Sequence, residues 1–201
     1  MQVLLGYIVE HVYIVLIASL VATGIGILLG VVAYWVKYLD TIIIMTADSI
    51  QTIPSLALLA MLMICFGLGN TTLIVGLVLY SLLPIIRNTY NGLNNIPPSI
   101  HEAARGMGMS KYQRLVKVEL PLAFPMIFSG VKIAVVTAIG ISVIGVLIGA
   151  GGLGYPVYRG IQSNNLGLIL QGAIPVVGLA ILFDLGMGRI EKQLLSKKQF
   201  N

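Results

Sequence analysis

The residues best equipped for chemistry are Glu102-Ala103-Ala104-Arg105-Gly106-Met107-Gly108, followed after nine residues by Val118-Glu119-Leu120-Pro121. Their chemistry is recognition. A capped, charged helix beside small residues can sit deep in a partner's groove. Catalysis has little to draw on: no nucleophile–base pair and no metal-ligand spacing is present, so neither a catalytic nor a metal site is expected. A G-x-x-x-x-G-K-[ST] loop is also missing, so this chain is not expected to bind ATP. Gly149-Ala150-Gly151-Gly152-Leu153-Gly154 fits G-x-G-x-x-G by letter, but that motif binds a dinucleotide only between a strand and a helix. Gly149, Gly151, Gly152 and Gly154 are better read as a turn with unusual backbone angles.

A second polar group lies inside an apolar run. Asp48, Gln51, Thr52 and Ser55 fall at i, i+3, i+4 and i+7, which places them on one helical stripe. In a membrane such a stripe faces protein or a watery cavity, either as interhelical glue or as the lining of a path. Pro54 removes a helical hydrogen bond there and gives a hinge or a tolerated kink. A Lys132–Asp48 pair is one way to satisfy the acid. Snorkelling or pairing accounts for Lys132 and Asp184 near the ends of their spans. His11 reads as interfacial, His101 as solvated, and Cys65 as a small buried hydrophobe.

The elements that position these residues must be membrane helices. The chain is 58% hydrophobic and 9% charged, against roughly 25% charged in soluble domains. Five continuous apolar runs predict spans at approximately 12–36, 48–69, 71–87, 122–149 and 166–188. Continuous runs exclude the alternation of an outer-membrane barrel. The first run is too long for a signal-peptide core and has no basic residues before it, so no cleaved signal is expected. With residues 97–121 on the cytoplasmic side, Lys37, Arg87, Arg105, Lys111, Arg114, Lys117, Arg189, Lys192, Lys197 and Lys198 fall inside. Lys132 sits at the inner edge, and Arg159 alone falls outside. That asymmetry follows the positive-inside rule, with the N-terminus outside and the C-terminus cytoplasmic. The net charge of +5 then reflects topology and anionic membrane lipid, and no nucleic-acid partner is expected.

The 97–121 segment reads as helix, glycine bend, helix. Pro97 and Pro98 stop the preceding helix. Ser99 with Glu102 forms a capping-box pattern, so capping its own helix is the main role expected of Glu102. Ala103, Ala104 and Arg105 favour the helix, and Gly106 and Gly108 end it. Ser110 with Gln113 repeats the pattern and starts a second helix through Val118, after which Pro121 resets the chain.

With these residues in view, the chain resembles an ABC importer permease. Gln51-Thr52-Ile53-Pro54-Ser55-Leu56-Ala57-Leu58-Leu59, Leu83-Pro84-Ile85-Ile86-Arg87-Asn88-Thr89-Tyr90, the Glu-Ala-Ala stretch through Leu120-Pro121 and the Ile148–Gly154 block narrow the likeness. They point to the quaternary-amine permeases for glycine betaine, carnitine or choline. Methionine-type permeases share the five-span plan and the glycine loop, so another small solute stays open. An ion-coupled secondary transporter is a further alternative, but its spans need mid-membrane ionisable groups that this chain almost lacks.

The resemblance implies an all-α bacterial inner-membrane permease domain with a cytoplasmic coupling helix, methionine-permease-like in plan. It implies a second permease subunit, identical or paralogous, and two cytoplasmic ATPase subunits that carry ATP and Mg. It also implies an extracytoplasmic substrate-binding protein, here expected as a separate chain because the sequence ends soon after Lys198. Ser99, Glu102, Ala103, Ala104, Arg105, Gly106, Met107, Gly108, Leu120 and Pro121 would dock the ATPase. Asp48, Gln51, Thr52, Pro54, Ser55 and the four loop glycines would line a path or gate. An aromatic cage for a quaternary ammonium is hard to build from Tyr80 and Phe66 inside the spans, or from Trp35, Tyr34 and Tyr155 at the interfaces. Selectivity is therefore expected in the binding protein.

Overall fold

The computed structural model describes residues 2–199, with side chains described to Leu194, so Lys197 and Lys198 of the charge argument lie outside the described side chains. Among the described residues there is no strand. The helices are α1 Gln2–Trp35, α2 Leu39–Thr52, α3 Ser55–Phe66, α4 Asn70–Asn94, α5 Pro98–Gly106, α6 Lys111–Arg114, α7 Leu120–Ser142, α8 Gly154–Gln162 and α9 Leu166–Gln199. A π-turn Leu115–Glu119 joins α6 to α7, and a 3₁₀ turn Val143–Ile148 leaves α7.

The centre is α4, packed between α1 and α7. Lipid tails are as apolar as these helices, so close backbone approach rather than the hydrophobic effect must hold them together. The sequence supplies that approach. Ala18, Ala22, Gly26 and Gly30 recur every fourth residue of α1 and are all buried. A methyl on Gly26 would lie 2.7 Å from Ile85 Cγ2, and one on Gly30 would lie 2.6 Å from Thr89 Cβ. On α7, Gly130 fits against the Pro84 carbonyl and Asn88 in the same way. Ile14, Leu73, Leu77, Ile85 and Ile139 fill the remaining core.

Among the described residues, four helical stretches are long and apolar enough to span: Gln2–Trp35, Asn70–Asn94, Lys111–Ile148 and Leu166–Leu194. The predicted second span is not one helix. Its halves α2 and α3 meet at 101°. Pro54 has no N–H to continue the ladder, and Ile53 is extended at φ −70, ψ 127. The freed Ile53 carbonyl accepts from the Tyr80 hydroxyl, and Gln51 Nε2 donates to the Tyr80 carbonyl at 2.7 Å. The bent pair still runs end to end of the bundle. Tyr90 donates to Asp40 at 3.2 Å at one end, and Gly69 N–H donates to the Ile148 carbonyl at 2.9 Å at the other. The break removes Ser55 from the helix of Asp48, Gln51 and Thr52, so the predicted four-residue stripe stops at Thr52.

The predicted first and third spans are longer than the apolar runs, because nothing before Val12 or after Arg87 breaks the helix. The predicted reset at Pro121 is also absent. Residues Lys111–Ile148 form one continuous helical stretch. The wider π-turn lies immediately N-terminal to Pro121, where its missing N–H and ring would disturb a regular α-turn. Cys65 is exposed on α3, not buried.

Candidate functional site

One end of the bundle is built from α5, the bend and α6. Pro97 caps α5 and Pro98 sits in its first turn, where a fixed φ suits helix initiation. Ser99 is therefore already inside the helix. The predicted Ser99–Glu102 capping box does not form, because Pro97 occupies the N-cap position and Ser99 lies past it. The Ser110–Gln113 box does form, with Gln113 N–H on Ser110 Oγ at 3.3 Å and Ser110 N–H on Gln113 Oε1 at 2.9 Å. Between them the bend closes when Gly108 N–H donates to the Arg105 carbonyl and Met109 N–H to the Ala104 carbonyl. Gly108 takes φ +75, a left-handed conformation that glycine adopts without strain.

The helix has two faces. Ser99, Glu102, Ala103, Arg105, Gly106, Met107 and Gly108 are exposed, and Met107 is 67% exposed. Ala104 is buried, and Ile100 packs into a cluster with Leu93, Ile96, Leu115, Ala123 and Ile127. The predicted small-residue face is thus split, with Ala103 outward and Ala104 inward. Leu120 is half-buried at that cluster and Pro121 is exposed. Beside the hairpin, Lys37, Arg105, Lys111 and Arg114 border an open cavity of about 870 Å³ whose lining has one acid, Asp40.

Under the hairpin lies a residue that the motif contains but whose role it does not reveal. Glu119 is fully buried. Its Oε1 accepts from Arg114 Nε at 2.6 Å and lies 3.1 Å from His101 Nδ1, while its Oε2 has no partner. His101 is thus tucked inward, not solvated. The signal available was a single acid between Val118 and Leu120, in a segment otherwise apolar on that side.

Along the bundle, Asp48 pairs with Arg87 at 2.8 Å, both about half exposed. Lys132 does not reach Asp48. It lies 3.2 Å from Glu191 and 3.5 Å from Asp184. Thr52 Oγ1 bonds back to the Ser49 carbonyl at 2.7 Å.

The opposite end holds the glycine loop. Gly149 and Gly152 take φ +74 and +92. Gly151 is required by proximity instead, because a Cβ there would overlap the Glu10 carboxylate; Gly154 likewise abuts the Val143 carbonyl. The loop's amides are claimed one after another. Gly151 N–H donates to Asn70 Oδ1 at 2.8 Å, Gly152 N–H to Glu10 Oε2 at 3.0 Å, and Leu153 N–H to His11 Nδ1 at 3.4 Å. Asn70 Nδ2 closes the ring on Glu10 Oε1 at 3.0 Å.

His11 is therefore buried, not interfacial, with Nε2 3.2 Å from the Ile139 carbonyl and 3.0 Å from Ser142 Oγ. Accepting at Nδ1 places its proton on Nε2. Glu10 and Asn70 drew no reading and His11 a wrong one, because their partners lie 60 to 142 residues away. A 3₁₀ turn, not a strand, precedes the loop, so it does not sit in the strand–helix setting of that glycine motif. Nearby, the Tyr7 and Tyr155 rings are 5.3 Å apart, but Arg159 already lies 5.8 Å over Tyr155, which disfavours a second cation there.

Residues 22–196 match the family described as binding-protein-dependent transport system inner membrane component. The chain is 44% identical to the glycine betaine/carnitine/choline transport system permease protein OpuCD of Bacillus subtilis (strain 168), over 98% of this chain and 89% of that protein. It is 46% identical to the carnitine transport permease protein OpuCD of Listeria monocytogenes serotype 1/2a, over 86% and 78%. It is 39% identical to the osmoprotectant import permease protein OsmW of Salmonella typhimurium, over 94% and 90%. A subunit of the inward-facing MetNI methionine ABC transporter superposes with a TM-score of 0.87 at 26% identity, covering 96% of this chain and 97% of that one. Its all-helical plan, its glycine-bent hairpin and this match over most of its length agree: the chain belongs to the binding-protein-dependent transport system inner membrane component family.

Proposed function

We propose that this chain is the permease subunit of an ATP-driven importer that brings an osmoprotectant quaternary amine, such as glycine betaine, carnitine or choline, into the cell. The observation that carries the reading is the hairpin: an exposed, glycine-bent pair of short helices continuous with a membrane helix. Cytoplasmic ATPase subunits dock on the Ser99–Gly108 face, and ATP and Mg stay with them. The permease itself is not a catalyst. A second permease, identical or paralogous, covers part of the apolar surface of α3 and α9, and an extracytoplasmic binding protein delivers substrate to the glycine-loop end. The basic residues around the hairpin support a cytoplasmic placement for it, with the N-terminus outside and the C-terminus inside. Asp48, Gln51, Thr52, Pro54, Ser55 and the glycine loop border the path or its gate. The substrate class rests on the names of the relatives at 39–46% identity.

The test is purification from native membranes followed by reconstitution. An ATPase and a binding protein should co-purify, and vesicles should take up radiolabelled glycine betaine, carnitine or choline only with ATP. Uptake of methionine but none of the three amines would overturn the substrate class. Uptake that persists without the ATPase and collapses with an ionophore would establish an ion-coupled transporter instead.

A further inference from the structure

We propose that Glu119 is a positioning residue that hands movement of the α5 docking helix to the membrane helix α7. The inference rests on the docking role given to α5 above. The outer face of α5 is free for a partner, and its inner face carries His101 and Ala104 at i and i+3. His101 reaches the one carboxylate that Arg114 of α6 also holds, and that carboxylate belongs to the last residue of the π-turn, directly before α7. Glu119 is fully buried and its second oxygen is unpartnered, so its side chain is held by these two groups. Withdrawing His101 would leave Arg114 as the single remaining contact of a buried carboxylate whose other oxygen is already unpartnered, and a buried polar group stripped of a partner is unfavourable. A displacement of α5 therefore cannot leave Glu119 behind, and the start of α7 must follow. The π-turn beside it is a departure from α-geometry of the kind that recurs at functional sites. Apolar packing of Ala104 and Ile100 also ties the hairpin down, but non-directional contacts can slide where a shared carboxylate cannot.

The experiment uses the whole transporter in proteoliposomes. It compares wild type with Glu119→Gln, His101→Ala, His101→Asn and the Glu119→Gln/His101→Ala double variant. One readout is radiolabelled glycine betaine imported per ATP hydrolysed. The other is the ATP-induced change in hydrogen exchange over residues 120–126, at unchanged ATPase co-purification. Glu119→Gln and His101→Ala should each lower the import ratio about fivefold or more, and the double variant should fall no further than the worse single one. His101→Asn, whose amide nitrogen mimics Nδ1, should recover most of the ratio. Multiplicative losses in the double variant, or an Asn variant as poor as Ala, would overturn the proposal. If Glu119→Gln does not assemble, the Ala-against-Asn comparison at His101 decides alone. No uptake by wild type, with the ATP-induced change on α7 present, would refute the substrate class, and the exchange readout would still decide the role of Glu119.

Discussion

Glu10→Gln isolates what holds the glycine loop. In the native ring, Glu10 accepts from Asn70 and from Gly152 N–H, while Asn70 accepts from Gly151 N–H. A glutamine has one oxygen and one NH₂ in place of two acceptors. If its oxygen meets Gly152, its NH₂ faces the Asn70 NH₂. If Asn70 flips to receive it, Gly151 N–H faces a donor instead. One donor is orphaned in every arrangement. An unsatisfied part-buried donor costs about 1–3 kcal/mol, and loss of charge assistance on the surviving bond adds about 1 kcal/mol, giving about 2–4 kcal/mol in all. At 1.4 kcal/mol per tenfold, local opening of the loop should rise about thirty- to several-hundred-fold. Hydrogen–deuterium exchange by mass spectrometry on the purified transporter reads that opening directly at residues 151–153. The rest of the chain should exchange as in wild type. Exchange at 151–153 indistinguishable from wild type would refute the ring as the clamp.

Two further outcomes follow from the glycines. Gly108→Asp meets open space but must hold φ +75 and adds a negative charge to the hairpin tip. The circular dichroism spectrum should be unchanged, while transport and substrate-stimulated ATPase activity fall about tenfold or more, within the range of interface hot spots. Gly26→Ala and Gly24→Ala form a matched pair on one helix. The first drives a methyl into Ile85 and should destabilise by about 1–3 kcal/mol. The second points into space and should be neutral or up to about 1 kcal/mol stabilising through helix propensity. Thermal unfolding in detergent should separate the two in sign, and equal shifts would refute the close α1–α4 approach.

How much of this was legible depended on range. The glycine-bent hairpin and the Ser110 capping box follow from neighbouring residues and are present, while the apolar runs become helices of other lengths, the second of them broken. The Ser99 box was a correct pattern with the wrong competitor, since two prolines had already set the helix start. Pro54 was legible as a weak point, but a kink and a 101° break differ by what catches the freed carbonyl. That catcher, Tyr80, is 27 residues away. Pro121 was misread because a local rule ends helices at proline, whereas a π-turn before it lets the helix continue. The roles of Glu10, His11, Asn70 and Glu119 were not legible for one reason: a polar residue's importance in a bundle comes from partners brought in by tertiary packing.

The close seam between α1 and α4 also limits how such a bundle can move. Gly26 and Gly30 are notches filled by Ile85 and Thr89. Sliding one helix past the other would drive those side chains out of the notches and into the bulkier ridges beside them. Shear along this seam is therefore opposed, and α1 and α4 should move together. Any opening of the path then falls to the parts packed outside that seam, the bent α2–α3 arm and α9. An engineered disulfide within the seam should leave transport intact, whereas one fastening the α2–α3 arm to α4 should arrest it.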